Sequence, residues 1–113
     1  MVRGGVLRRI DAFLREQTRY FDIAFAATCR LGRRTVLVVK FRAADPEERF
    51  RLRLDIASVL DLYGITIIDA DDVPPPCLKH LLRRSSSVHV YDPNVFGGAL
   101  RTLSRVHEES CRF

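Results

Sequence analysis

The sequence predicts an α/β (α+β) fold in which helices pack on a small mixed four-stranded sheet. Short β-branched and apolar runs alternate with longer stretches whose apolar residues recur at helical spacing, in the order α-β-β-α-β-α-β-α. A tight connection joins the first two predicted strands, whereas helices separate the later ones, and this combination is typical of a mixed sheet. The chain has 113 residues, the size of one domain, so residues 1–113 are assigned to a single domain.

The N-terminal part predicts one helix followed by a pair of strands. Apolar residues, including Leu7, recur at helical spacing over about residues 3–18, which predicts an amphipathic helix. Residues 21–28 and 35–41 each predict a strand. The second of these is an unbroken apolar run, which favours a central strand covered on both faces.

Two aspartate–proline pairs predict the starts of the second and the last helix. The side chain of Asp45 can accept a bond from a free backbone N–H group, and Pro46 suits the first helical position. Glu48 is expected to complete a capping box, and Gly64 to end the helix in the left-handed conformation. Asp92 begins the last helix with the same signal.

An acidic turn and three prolines lie between the third predicted strand, at residues 65–68, and a short helix. We interpret Asp69 and Asp71 as turn formers and Asp72 as the cap of the proline-led helix. The alternative is a displaced metal site made of these three aspartates. Asp22 is the nearest further carboxylate, and we expect it to be a strand residue that faces solvent or pairs with an arginine.

One segment carries a family resemblance. Residues 64–75 read Gly-Ile-Thr-Ile-Ile-Asp-Ala-Asp-Asp-Val-Pro-Pro, and a short leucine-rich helix and a predicted strand over residues 87–91 follow. This pattern resembles the minimal nucleotidyltransferases, small members of the DNA polymerase β-like superfamily, and the resemblance extends from the first helix to Tyr91. It implies a nucleotidyltransferase-like fold with three active-site elements: a Gly-Ser after the first strand, an Asp-x-Asp on the second, and an acidic residue on the third.

The positions that match these three elements carry no carboxylate. Thr28 stands near the place of the Gly-Ser. Arg34, Thr35 and Val36 stand in the region of the Asp-x-Asp, and Thr66 stands at the place of the third acid. Two-metal nucleotidyl transfer needs carboxylates to hold Mg²⁺ against the triphosphate, and an arginine repels the metal. The sequence therefore favours a pseudoenzyme with no catalytic residue, no bound metal and no cofactor.

Arginine supplies nearly all of the positive charge. The formal net charge is +5, and Lys40 and Lys79 are the only lysines. Arg30, Arg33 and Arg34 lie in the loop where the resembling family binds phosphates, so they are candidates for phosphate or nucleic-acid binding. The alternative interpretation is a solvated loop, in a GC-rich or thermophilic genome that encodes its surface charge as arginine.

Three functional hypotheses follow. The leading one is a catalytically inactive domain that binds a protein; the resemblance implies the antitoxin half of a toxin–antitoxin pair, whose partner is a helical HEPN-type RNase. Phe96, Gly97 and Gly98 on the last helix are a candidate contact surface, and a homodimer is compatible with the same sequence. The second is an active enzyme that uses Mg²⁺ and a nucleotide at the displaced aspartate site. The third is a nucleic-acid-binding module that uses the loop at residues 30–34.

The cysteines and the hydropathy pattern suggest an ordinary intracellular domain. Cys29, Cys77 and Cys111 are widely spaced and odd in number, which predicts neither a disulfide framework nor a zinc site. Cys77 and His80 are three apart on one predicted helix, and we interpret them as a buried thiol and a surface histidine. No apolar run approaches the roughly 20 residues that span a bilayer, so we expect a cytoplasmic protein without membrane contact.

Overall fold

One mixed sheet of four strands organises the fold. The computed structural model describes residues 2–111, except for the side chains of residues 2–4, 7, 17–20 and 62. The strands are β1 (Ile23–Leu31), β2 (Arg34–Phe41), β3 (Ile65–Asp69) and β4 (Ser85–Val90). They lie in the order β3-β2-β1-β4, and β1 pairs antiparallel with both β2 and β4, while β2 pairs parallel with β3. The predicted mixed four-stranded sheet is confirmed.

Four α-helices cover the two faces of this sheet. They are α1 (Val2–Phe21), α2 (Pro46–Leu60), α3 (Pro75–Arg83) and α4 (Pro93–Leu103). Helices α1 and α2 pack on one face, in a core that includes Leu14, Ile56 and Leu37. Helix α3 packs on the other face through Leu81, and α4 lies beside it. The central position of β2 is confirmed, because its buried residues belong alternately to both cores.

Most of the predicted helix boundaries agree with the structure. The side chain of Asp45 accepts a hydrogen bond from the backbone N–H of Glu47 at 3.3 Å, whereas a reciprocal bond from Glu48 is not among those of the described residues. Gly64 follows a short 3₁₀ turn in the left-handed conformation, with φ of 73°. Asp92 caps α4 through the N–H of Val95 at 3.2 Å. The side chain of Leu7, predicted on the apolar face of α1, lies outside the described residues.

Two predictions about aspartates are wrong. Asp72 does not cap α3, because α3 begins after Pro74, which offers no side-chain bond. Asp72 instead ends a 3₁₀ turn, and the extended residue Val73 separates that turn from the helix, as expected for a residue before proline. Asp22 is not a strand residue: its φ of 52° is left-handed, so β1 begins one residue later. Its carboxylate lies 4.0 Å from Arg42 Nε, a distant form of the predicted arginine pairing.

The cysteine interpretation is also wrong in part, because Cys77 and Cys111 form a disulfide. The chain after α4 turns back over α3, which brings two cysteines 34 positions apart together. No local spacing rule detects a pairing that depends on this tertiary path. Cys29 remains a free, buried thiol and donates to the Leu81 carbonyl at 3.1 Å. Burial raises the pKa of Cys29 to about 11.

The disulfide bears on where this protein resides. Disulfides persist in oxidising compartments and, as an exception, inside the cells of hyperthermophiles. No helix among residues 2–111 combines the length and the apolar character that crossing a membrane requires. The cytoplasmic location expected from the sequence stays a prediction.

Candidate functional site

Three of the positions that match the resembling active site lie together on one face of the sheet. Val36 of β2 is the register partner of Thr66 of β3. Arg34 precedes Val36 by two residues, so alternation along the strand places it on the same face. This is the face covered by α3, since Val36 packs in the core with Leu81. The three positions that the resemblance matches to metal-binding carboxylates therefore present an arginine, a valine and a threonine on this face.

Thr28 and Thr35 lie on the opposite face. Thr28 follows Ala26 by two residues and Thr35 precedes Leu37 by two, and both of those residues belong to the core under α1 and α2. Only 2% of Thr28 is exposed, and its hydroxyl has no hydrogen-bond partner among the described residues. The sheet separates this hydroxyl from Arg34 and Val36, so the five matching positions do not line one cleft.

The carboxylates of the acidic turn after β3 form ion pairs with basic side chains of the same chain. The Nε atom of Arg49 lies 3.1 Å from a carboxylate oxygen of Asp69 and 3.4 Å from one of Asp71, and Lys40 Nζ lies 2.7 Å from Asp71. Asp69 is 3% exposed and Arg49 13%. We call Arg49, Lys40, Asp69 and Asp71 the inner cluster. Asp69 also accepts from the Asp71 backbone N–H at 2.9 Å, which confirms its predicted role in the turn.

This arrangement leaves little for a divalent ion to bind. Two carboxylates face two cations at hydrogen-bond distance, so Mg²⁺ would have to displace Arg49 and Lys40 first. Among the described residues, no group of three or more metal-binding side chains comes together. The sequence offered no sign of the inner cluster, because Arg49 lies 20 positions before Asp69 and meets it only through the crossover from α2 to β3.

The predicted arginine loop is a tight hairpin turn. Leu31 pairs with Arg34 across it, and Gly32 adopts a left-handed φ of 62°. Arg30, Arg33 and Arg34 are exposed around this turn, and Arg30 Nε donates to the Gly32 carbonyl at 3.2 Å. Three guanidinium groups therefore project from one tip of the sheet.

An apolar surface lies where the edge strand β4 meets α4. Val88 and Val90 are each 39% exposed, and Leu100 is 46% exposed. We call these three residues, with Phe96 and Gly97, the β4–α4 surface. Phe96 packs edge-on against Phe25 with ring centres 5.1 Å apart, and a cavity of about 210 Å³ opens beside it, lined mainly by apolar residues: Leu82, Val88, Phe96, Leu100 and Leu103.

The surroundings of Gly97 within the domain do not explain why a glycine stands at this position. Its φ is not positive, and a Cβ atom at this position would meet only the Arg101 guanidinium, at 3.6 Å. A glycine inside a helix costs about 1 kcal/mol relative to alanine. The domain therefore carries a destabilising residue on an exposed apolar surface without any internal packing that requires it.

A second group of charges joins α3 to the C-terminal segment. Glu108 accepts from His80 Nδ1 at 2.9 Å, from Arg83 at 2.7 Å and from Arg84 at 2.7 Å. We call His80, Arg83 and Arg84 the basic triad, and the triad with Glu108 the outer cluster. Burial alone would raise the pKa of Glu108, but the hydrogen bond from Arg84, with the charge of Arg83 and the bond from His80, holds it below its ordinary value.

Comparisons with known proteins do not extend this picture. Neither a protein-family model, nor a curated protein, nor a solved structure matches the chain. The resemblance to minimal nucleotidyltransferases therefore rests on the sequence motifs alone, and the function has to be argued from the residues.

Proposed function

We propose that this chain is a nucleotidyltransferase-like domain that has lost nucleotidyl transfer and acts by binding a protein partner. Two observations support the loss of catalysis. The neighbouring positions Arg34, Val36 and Thr66 offer a metal ion one positive charge and one hydroxyl in place of three carboxylates. The carboxylates of the acidic turn, which are the nearest replacement, already bind Arg49 and Lys40.

The β4–α4 surface is the observation that carries the binding role. It combines an exposed apolar patch, a small apolar cavity and a helical glycine that nothing inside the domain requires. Exposed apolar patches of this kind are typical of interaction sites. Gly97 would allow a partner backbone to approach α4 closely. The apolar cavity between β4 and α4 suits the apolar face of a partner helix.

The partner we propose is a small all-helical protein of the HEPN RNase type, encoded beside this chain. The experiment is co-purification: the two proteins are mixed and passed through a sizing column at low and high salt. We expect one stable complex at both salt concentrations, because apolar burial is insensitive to screening. Separate elution under both conditions would count decisively against this partner.

A matched pair of variants locates the binding surface. Leu100→Glu places a charge on the β4–α4 surface, and Leu54→Glu places the same charge on the outer side of α2, where Leu54 is 47% exposed against 46% for Leu100. Leu100→Glu should abolish co-elution while Leu54→Glu preserves it. Equal loss in both variants, or loss only in Leu54→Glu, would place the interface elsewhere.

The hairpin tip supports a second candidate function, sequence-independent binding of nucleic acid. Arg30, Arg33 and Arg34 form an exposed cationic group, and such groups bind phosphate backbones with affinity that falls steeply with salt. Binding of a single-stranded RNA at low salt should weaken in the Arg33→Gln variant. Binding that is insensitive to salt would contradict this role.

A further inference from the structure

The outer cluster is built as an anion site. Three basic side chains, one turn of helix apart, converge on a single carboxylate with contacts of 2.7 to 2.9 Å. The C-terminal end of a helix favours cations, which explains why the basic groups gather there. The carboxylate of Glu108 is the anion that these basic side chains bind in the structure.

The site is open to solvent, and Glu108 covers its two arginines only in part. A cavity of about 670 Å³ lies open beside Glu108, lined by the basic triad together with Glu109 and Cys111. The guanidinium-bearing side chains of Arg83 and Arg84 remain 67% and 57% exposed although they hold Glu108. If Glu108 left, two permanent positive charges would face an open cavity, which is the arrangement that binds phosphate groups through paired N–H donors.

The disulfide controls how easily Glu108 can leave. Cys111 lies three residues after Glu108 and is bonded to Cys77 at the start of α3, so the carboxylate is tethered on both sides. On its other side, Lys79 Nζ donates to the Val106 carbonyl at 2.8 Å. A short tether keeps an internal ligand at high effective concentration, and cutting one end lowers that concentration.

We infer that the basic triad is a binding site for a phosphate group, and that the chain closes this site with Glu108 while its disulfide is intact. Glu108 occupies the place of the ligand, as an internal competitor. Opening the disulfide makes the competitor weaker, so the redox state of the cysteines sets the affinity for phosphate. This inference does not depend on the proposed partner or on the lost enzyme activity.

A small dithiol reductant is sufficient to open the disulfide. One thiolate of the dithiol attacks the sulfur of Cys111, which is less buried than Cys77, and the sulfur–sulfur bond breaks with release of the Cys77 thiolate, which takes up a proton. The second sulfur of the dithiol then displaces Cys111. Two electrons and two protons have passed to the protein, and the dithiol has closed into its own disulfide.

The test is titration calorimetry of the full chain with inorganic phosphate, at constant ionic strength maintained with chloride. Glu108→Gln removes the competitor and leaves the disulfide in place. Glu48→Gln is the matched control, because it removes the same charge from an exposed residue of α2, which packs on the opposite face of the sheet. We expect Glu108→Gln to bind phosphate about tenfold more tightly than the oxidised wild type, the size expected for one charge-assisted hydrogen bond.

Further measurements separate the parts of the proposal. Glu48→Gln should bind as the wild type does, and adding Arg84→Gln to Glu108→Gln should remove the gain. Reduction should tighten phosphate binding by the wild type but not by Glu108→Gln, whose competitor is already gone. Equal affinities of Glu108→Gln and Glu48→Gln would overturn the site. A wild type whose phosphate affinity does not change on reduction would overturn the proposed effect of the disulfide.

The source of the phosphate group is settled by a second probe. Adenosine monophosphate carries the same dianion on a nucleoside, and the open cavity has space for one. Tighter binding of this nucleotide than of inorganic phosphate by Glu108→Gln assigns the site to nucleotides, and equal binding assigns it to free phosphate. Absence of binding by both probes to Glu108→Gln would overturn the proposal.

Discussion

The inner and outer clusters use the same chemistry in opposite surroundings. In the inner cluster, Arg49 and Asp69 are almost fully covered, and the pair joins α2 to the end of β3. In the outer cluster, Arg83 and Arg84 are mostly exposed, and a disulfide, not a covering helix, keeps Glu108 in place. Removing one partner from a buried pair leaves an uncompensated charge, whereas exposed pairs contribute little to stability. The inner cluster is therefore expected to hold the fold, and the outer cluster to be available for exchange.

The largest effect should come from breaking the inner cluster. Arg49→Met leaves the buried Asp69 carboxylate without its closest cation, which should lower the free energy of unfolding by about 3–5 kcal/mol. Chemical denaturation measures this loss. Arg51→Met, an exposed position on the same helix, is the control and should change stability by less than about 0.5 kcal/mol. Similar losses in both variants would show that the buried pair contributes no more to the free energy of unfolding than an exposed arginine does.

The next effect should come from the disulfide. Reduction opens a loop that spans 34 positions, and the chain-entropy relation then gives a loss of about 3–4 kcal/mol. The measurement is denaturation with and without a dithiol. The double variant Cys77→Ser, Cys111→Ser should unfold with the stability of the reduced wild type and should not respond to the dithiol. A response in that variant would mean that the dithiol acts on stability by a route other than reduction of this disulfide, which would contradict the prediction.

A smaller effect is expected at the exposed side of the inner cluster. Asp71 and Lys40 are about one-third exposed, so Asp71→Asn should cost about 1 kcal/mol or less. Asp72→Asn on the same turn is the control, and thermal unfolding distinguishes the two. A loss as large as that in Arg49→Met would mean that Asp71, and not Asp69, is the essential partner of Arg49.

The smallest effect concerns the outer cluster and acid. The pKa of Glu108 lies below its ordinary value of 4.5 in the folded state, so its contacts stabilise the fold above that value and are lost as the pH falls through the lowered pKa. The stability of Glu108→Gln should therefore depend less on pH than that of the wild type as the pH falls below 4.5. Acid titration followed by chemical denaturation measures this difference, and an acid dependence of Glu108→Gln equal to that of the wild type would contradict it.

Local sequence signals predicted the elements but not the contacts between them. The caps at Asp45 and Asp92 and the end at Gly64 depend on a few adjacent residues, and they are present as expected. The inner cluster and the disulfide join residues 20 and 34 positions apart, which no local rule connects. Asp72 failed as a cap because the residue before the prolines is extended, which outweighed its capping preference.

The candidate site shows the same difference between what local sequence signals predict and what the tertiary structure decides. The sequence located Arg34, Val36 and Thr66, and the register brings them together. Alternation along β2 already sets Thr35 opposite Arg34 and Val36. The face of Thr28 depends on how β1 pairs with β2 and on which helices cover the sheet, which the sequence did not reveal. The resembling family supplied positions along the chain, but only the sheet shows which of them share a surface.

The central claim is that the carboxylates of this chain bind its own cations and not a catalytic metal. The most direct test is thermal unfolding of the wild type with and without ATP and Mg²⁺. The account predicts no stabilisation by the pair beyond that given by ATP alone. A ligand at a hundred times its dissociation constant stabilises by about 2.7 kcal/mol, so an upward shift of that size that requires Mg²⁺ and is lost in Asp71→Asn would contradict the account.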